Sequence, residues 1–235
     1  MTATAPLSIT SLLRTMDARR LRALFGDDAA VAAQWLRAVA ADSVPAAQVC
    51  YGRLLLEGTG VSRDAAAALA WFHRAAAQGD ADANNMVGRC LDNGWGTMED
   101  SAAAADYYGR AAANGHAWAL YNLGHFYLNG RGVERDFARA YEHYRRAADQ
   151  GHERAMNLVG RCMEEGWGTG RDLTAAAGWY RRSAEAGYFR GQYNWATILL
   201  NMRRAGEAAM WLERAAAGGT AAVRRAVQDL LGTLR

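Results

Sequence analysis

The stretch from Leu123 to His152 reads LGHFYLNGRGVERDFARAYEHYRRAADQGH and predicts two helices joined by a glycine loop. Apolar residues at helical spacing fill one face of its first half. Gly130 to Gly132 close that helix, because glycine readily adopts the left-handed conformation that ends a helix. Asp136 then stands where a carboxylate caps the second helix, which stops at Gly151. The pattern indicates a helix–turn–helix hairpin.

This hairpin recurs with a period of 36 residues. One hairpin cannot bury both of its faces, so neighbouring units must stack and share a core. The small glycine in the first helix is expected to let the two helices of a unit approach each other closely. The period is marked by glycines, aspartates and aromatic residues: Gly52, Gly88, Gly124 and Gly160; Gly79, Gly115, Gly151 and Gly187; Asp28, Asp64, Asp100, Asp136 and Asp172; Trp35, Trp71, Tyr107, His143 and Trp179.

The composition fits an all-helical chain of 235 residues, with two prolines and long runs of alanine, a strong helix former. All 27 positive charges are arginine, and the net charge is +3. The charge is uneven, since residues 181–235 carry nine arginines against four acidic residues, a balance of +5. The rest of the chain is slightly acidic, which argues against a protein that coats nucleic acid.

The N-terminal residues lack the basic start and apolar core of a secretory signal, and no apolar run approaches the ~20 residues of a membrane-spanning helix. The three cysteines, Cys50, Cys90 and Cys162, have neither zinc-site nor redox-motif spacing, and their odd number fits a reducing compartment. Cys90 and Cys162 take the place of Phe126 in the period and are expected in the core. We therefore expect a cytoplasmic protein without a membrane span.

The segment from Leu123 to His152 resembles the Sel-one-like repeat, a 36-residue relative of the tetratricopeptide repeat. The resemblance covers residues 45–220 and implies an all-α, right-handed superhelical solenoid of stacked antiparallel helix pairs. Residues 1–44 are expected to hold a tail and a degenerate capping unit that begins at residue 8, and residues 221–235 a C-terminal capping helix. The last repeat is four residues shorter than the others, and the shortening falls at Met202 to Gly206, where the glycine loop should be. Five units are expected, at 45–80, 81–116, 117–152, 153–188 and 189–220.

The resemblance also implies a function. Related bacterial proteins are generally adaptors, so we expect a protein-interaction scaffold, not an enzyme, that holds a partner peptide or helix in the concave groove of the solenoid. In tetratricopeptide arrays the groove residues stand at fixed offsets from the aligned glycine, and their spacing of i, i+3, i+7 and i+10 is one helical stripe. Transferred by position, the expected partner-binding residues are Asn85, Arg89, Trp118, Tyr121, His125, Asn157, Arg161, Arg190 and Tyr193.

The residue types of this stripe suit a bound peptide. Its asparagines offer a donor and an acceptor to a peptide amide, and its arginines offer planar forks to a carboxylate. Its aromatic side chains supply the rigid area that anchors interfaces. The alternative is that Asp92 and Glu164 neutralise Arg89 and Arg161 within the array and leave an ordinary solvated face.

Repeats two and four resemble each other more than either resembles the repeat between them. VGRCLDNGWGT from Val87 matches VGRCMEEGWGT from Val159, and the two repeats are identical at 18 of 36 positions. The resulting 72-residue period has two interpretations, recent duplication or matching contacts at two points along a partner. It also places Trp95 and Trp167 in two of the glycine loops, where we expect them to fold over a neighbouring helix rather than to meet a ligand.

No phosphate-binding glycine motif, nucleophile elbow or HExxH sequence occurs, and we expect no catalytic residues, cofactor or metal. Of five histidines, His125 falls in the predicted groove, without a second ligand at metal-binding spacing on its helix. Two other functions stay open. One is regulation of a single enzyme in trans, and the other is binding of an acidic partner or nucleic acid by Arg203, Arg204, Arg224 and Arg225. The oligomeric state is also open.

Overall fold

A computed structural model describes residues 28–233, and within this range the chain forms helices and turns without a strand, which confirms the all-α class. The first part of the expected capping unit, residues 8–27, lies outside the described residues, as do residues 234–235. The helices are α1 (Ala29–Ala41), α2 (Pro45–Glu57), α3 (Ala65–Ala76), α4 (Ala81–Asn93), α5 (Ser101–Ala113), α6 (Ala117–Asn129), α7 (Phe137–Asp149), α8 (Glu153–Glu165), α9 (Leu173–Glu185), α10 (Phe189–Asn201), α11 (Ala205–Gly218) and α12 (Ala221–Thr233).

The chain consists of two compact units, one ending at Ala119 and one beginning at Leu120, within α6. In the first unit, each helix from α1 to α5 packs against the next, and α2 also contacts α4. In the second unit the same holds from α7 to α12, and α8 also contacts α10. Contacts two helices apart join the first helices of consecutive repeats, so within each unit the first helices lie side by side.

The glycine loop reverses the chain between the two helices of a repeat, as repeat two shows. Gly94 caps α4 with a φ of +66°, and its N–H donates to the Cys90 carbonyl. Gly96 has a φ of +73°, and a Cβ there would lie 2.3 Å from the carbonyl oxygen of Ala65, the first residue of α3. The loop of one repeat therefore packs directly on the second helix of the repeat before it, which requires glycine.

Each second helix of repeats one to four begins at an aspartate, as predicted. The Asp100 carboxylate accepts a hydrogen bond of 2.9 Å from the Ala103 N–H and so satisfies a backbone donor at the start of α5. A cap of this kind contributes about 1 kcal/mol. The same arrangement occurs at Asp28, Asp64, Asp136 and Asp172.

The two helices of a repeat meet at a glycine on the first helix and an aromatic ring on the second. A Cβ on Gly52, for example, would lie 2.5 Å from the fully buried ring of Phe72. The ring fills the space that a side chain would need, so the glycine lets the helices approach closely, as expected. The other pairs are Gly88 with Tyr108, Gly124 with Tyr144 and Gly160 with Tyr180.

The fifth repeat turns without a glycine loop. After α10 ends, Arg203 takes the left-handed conformation with a φ of +61°. Arg204 stands at the N-cap of α11 without a side-chain cap and forms an ion pair with Glu207, whose Oε1 lies 2.6 Å from the arginine Nε. The shortened turn thus holds a bulky residue in a conformation that favours glycine.

All three cysteines are buried thiols that form no disulfide. Burial raises the pKa of Cys50 and of Cys90 to about 11, and that of Cys162 to about 12. Cys90 and Cys162 lie in the core, as their place in the period predicts. Such thiols stay protonated at neutral pH and act as small apolar side chains.

Candidate partner-binding site

The nine residues expected to bind a partner all lie on first helices. The first unit contains those on α4 together with Trp118, and the second unit contains those from Tyr121 onwards. They are Asn85 and Arg89 on α4; Trp118, Tyr121 and His125 on α6; Asn157 and Arg161 on α8; and Arg190 and Tyr193 on α10.

In the first unit, Arg89 stacks on the loop tryptophan of its own repeat. The guanidinium carbon of Arg89 lies 5.1 Å from the centre of the Trp95 ring, and Nη1 donates to the Met86 sulfur over 3.6 Å. This cation is attracted by the negative face of the indole. Asn85 is buried, with 5% of its surface exposed, whereas Trp118 is 43% exposed. The arginine and Trp118 are therefore the more accessible stripe residues of this unit.

A cavity of about 480 Å³ opens beside the stacked pair, between the first helices of repeats one and two and their glycine loops. The loop residue Arg63 is held by a hydrogen bond of 3.1 Å from its Nε to the Leu56 carbonyl. Arg53 reaches to within 3.9 Å of the Asp82 carboxylate. The cavity is lined by Arg53, Leu56, Glu57, Arg63, Met86, Arg89 and Trp95.

In the second unit, Tyr121 and His125 belong to an aromatic cluster. Their ring centres are 4.7 Å apart in an edge-to-face arrangement. Tyr121 also stacks on His152 at 4.8 Å, and His125 meets the buried ring of Tyr144 at 5.4 Å. The structure thus brings two predicted residues together and supports them on rings from the second helix and the following turn, which fixes their orientation.

Burial and nearby arginines set the charge of this cluster. Burial lowers the pKa of His125, and the Arg190 guanidinium lowers it further, so the ring is neutral at pH 7. Burial raises the pKa of Tyr121, while Arg154 and Arg190 act in the opposite direction. Two arginines from successive first helices therefore give this aromatic surface a positive surrounding.

Asn157 and Arg161 on α8 make contacts within the array. The buried Asn157 side chain accepts a hydrogen bond of 2.9 Å at Oδ1 from Asn194 Nδ2. The Arg161 guanidinium lies 4.9 Å from the centre of the Trp167 ring and so repeats the arrangement of repeat two. Trp167 stacks in turn on Phe137 of the preceding repeat, which confirms that this loop tryptophan folds over a neighbouring helix.

Asp92 and Glu164 were considered as neutralising partners of these arginines. Each accepts a hydrogen bond from a buried tyrosine on the second helix of its own repeat. Repeat three has Leu128 in the same register, and the buried hydroxyl of Tyr144 has no hydrogen-bond partner among residues 28–233. The pairs are Tyr108 with Asp92, at 3.5 Å, and Tyr180 with Glu164, at 2.5 Å.

Some of the stripe residues of α10 and of the C-terminal arginines already make contacts within the chain, and others are exposed. Arg190 is exposed, and Tyr193 packs against the core of the last repeat. Of the four arginines considered as a separate basic site, Arg204 is held in its ion pair, and Arg224 donates from Nη1 to the Gly219 carbonyl at 2.8 Å. Part of the charge in this region is therefore engaged within the chain.

The other histidines cap helices or pack on rings. His116 accepts at Nδ1 from the Ala119 N–H at 3.1 Å, so its Nε2 carries the proton and donates to Asp82 Oδ1 at 2.8 Å. His143 stacks on Tyr127 with ring centres 5.5 Å apart. Across residues 28–233, no group of three or more His, Cys, Asp and Glu side chains is arranged to hold a metal ion. No helix in the same range has the length and apolar character needed to cross a membrane.

The expected stripe began at repeat two, so it did not include the residues of repeat one that complete the cavity. Arg53 precedes Arg89 by one 36-residue period, so the aligned Gly52 beside it was the available signal. Arg63 comes from a glycine loop, where offsets along a helix do not apply. His152 belongs to the turn between repeats, and its stacking on a stripe residue had no signal in the sequence.

The stacked hairpins and the side-by-side first helices define an all-α repeat solenoid. The Sel1 repeat model matches residues 45–80, 81–116, 119–152, 153–188 and 203–220, which together make up more than half of the chain. The chain belongs to the Sel1 repeat family. Proteins of this family are generally protein-interaction scaffolds. No curated protein matches the chain.

Solved structures show the same fold. Over 85% of its length the chain is similar, at 30% identity and a TM-score of 0.75, to c5321, a protective antigen present in uropathogenic Escherichia coli strains displaying an SLR fold; it spans 44% of that protein, under half its length. Over 84% of its length it is similar to a Sel1 repeat protein from Oxalobacter formigenes, at 29% identity and a TM-score of 0.77, and spans 81% of it. A sel1 repeat protein from Klebsiella pneumoniae, at 18% identity and a TM-score of 0.56, shares the fold over 84% of this chain and 98% of its own.

Proposed function

We propose that this protein is a scaffold that binds a partner protein along its first helices and takes up an extended segment or a helix. The observation that carries the proposal is Trp118, which stands at a stripe position and is 43% exposed. Tryptophan is among the side chains that most often anchor protein interfaces, because it buries a large rigid area at little cost in entropy.

The aromatic cluster of the second unit supports the same function. Tyr121 and His125 lie against further rings and are flanked by Arg154 and Arg190. A surface that combines fixed rings with surrounding cations suits a segment with apolar and acidic side chains. Arg161, held over a tryptophan, adds a planar fork in a fixed position, which favours a carboxylate.

The two asparagines take part in a more limited way than their residue type suggests. Both side chains are buried, and Asn157 Oδ1 already accepts from Asn194. The contact that we propose for Asn157 is therefore donation from Nδ2 to a peptide carbonyl. The main contribution of Asn157 is to hold neighbouring first helices in register, since a buried polar group must keep its partners.

The proposal can be tested by selecting displayed random peptides on the intact chain and titrating a synthetic selected peptide by calorimetry. Trp118→Ala is expected to weaken binding about tenfold or more, the size of an interface hot spot. Met98→Ala serves as the control, because Met98 is an exposed apolar residue between α4 and α5, away from the stripe. Equal affinities of the two variants would contradict binding along the first helices.

The C-terminal arginines are tested in the same titration. Loss of binding in Arg224→Glu/Arg225→Glu, with full binding in Trp118→Ala, would place the partner on the basic region instead. Salt separates the models further, because purely electrostatic binding weakens steeply as salt increases. Regulation of an enzyme in trans would show as a change in the turnover of that partner when the chain is added.

A non-catalytic role in the cytoplasm completes the proposal. Cys50, Cys90 and Cys162 are thiols rather than disulfides, as is usual in a reducing compartment. Cell fractionation with an antibody against the chain tests the location, and recovery of the chain from the periplasm or medium would contradict it.

A further inference from the structure

The cavity in the first unit carries an excess of positive charge. Three lining side chains are the arginines Arg53, Arg63 and Arg89; Glu57 is the acidic one, and the Asp82 carboxylate, outside the lining, lies 3.9 Å from Arg53. Its volume of about 480 Å³ lies in the range of sites that enclose ligands. Like charges that line a concave site reinforce one another and attract counter-charge. The cavity therefore favours an anionic group.

Contacts within the chain hold two of the arginines in place before a ligand arrives. Arg63 donates from Nε to the Leu56 carbonyl, and Arg89 lies over the Trp95 ring with Nη1 directed to a methionine sulfur. A guanidinium has five N–H donors, so both arginines keep further donors for an anion. Side chains that are already ordered lose less entropy when they bind, which increases affinity.

The apolar part of the lining narrows the choice of anion. Leu56 and Trp95 are half-buried and provide apolar surface next to the guanidiniums, whereas Met86 is 2% exposed and adds little. A free inorganic ion gains nothing from such surface, whereas an acidic side chain with an apolar neighbour gains from both parts. Glu57 disfavours a dianionic phosphate more than a singly charged carboxylate, because repulsion grows with charge.

We propose that this cavity is a subsite for an aspartate or glutamate side chain of the partner, bound by Arg53, Arg63 and Arg89 while an apolar neighbour packs against Trp95. This inference rests on the proposed function, since it takes the partner to be a protein, and it adds that the bound segment is acidic. Trp95 would then both hold Arg89 and contact the apolar neighbour of the bound acidic side chain.

The positions that line the cavity recur 72 residues later in a weaker form. Arg161 and Trp167 repeat the stacked pair. His125, however, stands in the register of Arg53, and Arg135, in the register of the loop arginine, lies over an aromatic ring of α7 at 5.4 Å. The later set thus offers fewer guanidiniums to an anion than the cavity of the first unit does.

The experiment uses the intact chain and one selected acidic peptide in three synthetic versions, with glutamate, glutamine or phosphoserine at the same position. Glutamine in place of glutamate is expected to weaken binding about tenfold or more, the effect of losing a charge-assisted hydrogen bond. Arg89→Gln should weaken the glutamate peptide by a similar factor and leave the glutamine peptide unchanged. Arg110→Gln, on α5 and paired with Asp106, should change the affinity less than twofold (about the limit for a surface charge).

A change of opposite sign separates the subsite from loss of folding. Glu57→Gln removes the repelling carboxylate and should tighten binding of the glutamate peptide about twofold. A damaged fold cannot produce tighter binding, so this variant supports the subsite even if an arginine variant is unstable.

The remaining outcomes are distinct. Tighter binding of the phosphoserine peptide assigns the cavity to a phosphopeptide and overturns the carboxylate. Peptide binding that is lost in Trp118→Ala but unchanged in Arg89→Gln overturns this inference and leaves the proposed function intact. If the chain selects no peptide, both fail.

Discussion

Gly88 and Tyr108 touch where α4 and α5 pack together, since a Cβ on the glycine would lie 2.8 Å from Cδ1 of the buried ring. Gly88→Ala should therefore destabilise the chain by about 1–3 kcal/mol, as overpacking of a core does. Gly88→Leu should unfold the array, and the same is expected of Gly160→Leu. Urea unfolding followed by circular dichroism measures the effect.

Gly109, one residue further along α5, supplies the control for this prediction. Beyond its chain neighbours and the backbone of its own helix, no atom lies within 4 Å of a Cβ built there. Gly109→Ala should stabilise the helix by about 0.5–1 kcal/mol, because alanine loses less backbone entropy. Shifts of the same sign in Gly88→Ala and Gly109→Ala would contradict the packing argument.

Replacing Arg203 by glycine should stabilise the folded chain. Its φ of +61° is a conformation that costs a side-chain-bearing residue about 1–2 kcal/mol. Arg203→Gly is therefore expected to raise the melting temperature, whereas Arg203→Ala keeps the strain. Ser43, with the same positive φ before α2, should respond in the same direction. A lower melting temperature in both glycine variants would show that these turns do not have the described conformation.

Three histidines should make stability depend on pH. Burial lowers the pKa of His73, His125 and His143 below the ordinary value of 6.5. The unfolded chain then takes up protons at a higher pH than the folded chain. The contribution of these histidines to the free energy of unfolding is therefore fully present above pH 6.5, and it is lost as the pH falls from 6.5 towards the lowered pKa. Urea midpoints at about pH 7.5 and about pH 5.5 measure this, and His125→Gln should reduce the difference. A midpoint that rises on acidification would refute it.

The buried thiols should be unreactive in the folded chain. Cys90 and Cys162 have exposures of 0% and 1%, and burial raises the pKa of each far above neutral. A thiol-specific reagent at neutral pH should label neither residue until the chain unfolds, because the thiolate is the reactive form. Rapid labelling of native protein, located by mass spectrometry, would contradict the core assignment.

The fold followed from the sequence because its signals are local. Asp100 caps α5 through an N–H three residues away, and Gly94 ends α4 through its own φ. Such devices depend on nearby residues alone, so a pattern repeated every 36 residues predicts them each time. The fifth repeat departs where the pattern does, at the turn that holds Arg203.

The contacts of the stripe residues were harder to predict from the sequence, because they depend on how neighbouring repeats pack. Asn157 is a polar residue at the expected offset, yet its Oδ1 accepts from Asn194, which lies 37 residues away in the sequence. Helical offsets predict the face on which a side chain lies but not how far the next repeat covers it. The cavity was missed for a related reason, since Arg63 approaches Arg89 from a loop of another repeat.

The residue that faces the buried tyrosine alternates between acidic and apolar from one repeat to the next, and this limits how the chain can change in length. Tyr108 and Tyr180 have an acidic partner on the preceding helix, whereas Tyr144 has Leu128 in that register. Loss or gain of one repeat would make two repeats of the same kind adjacent in the sequence, while loss or gain of a pair keeps them alternating. We therefore expect natural length variants of this array to differ by steps of 72 residues rather than 36, so that the inherited unit is twice the structural one.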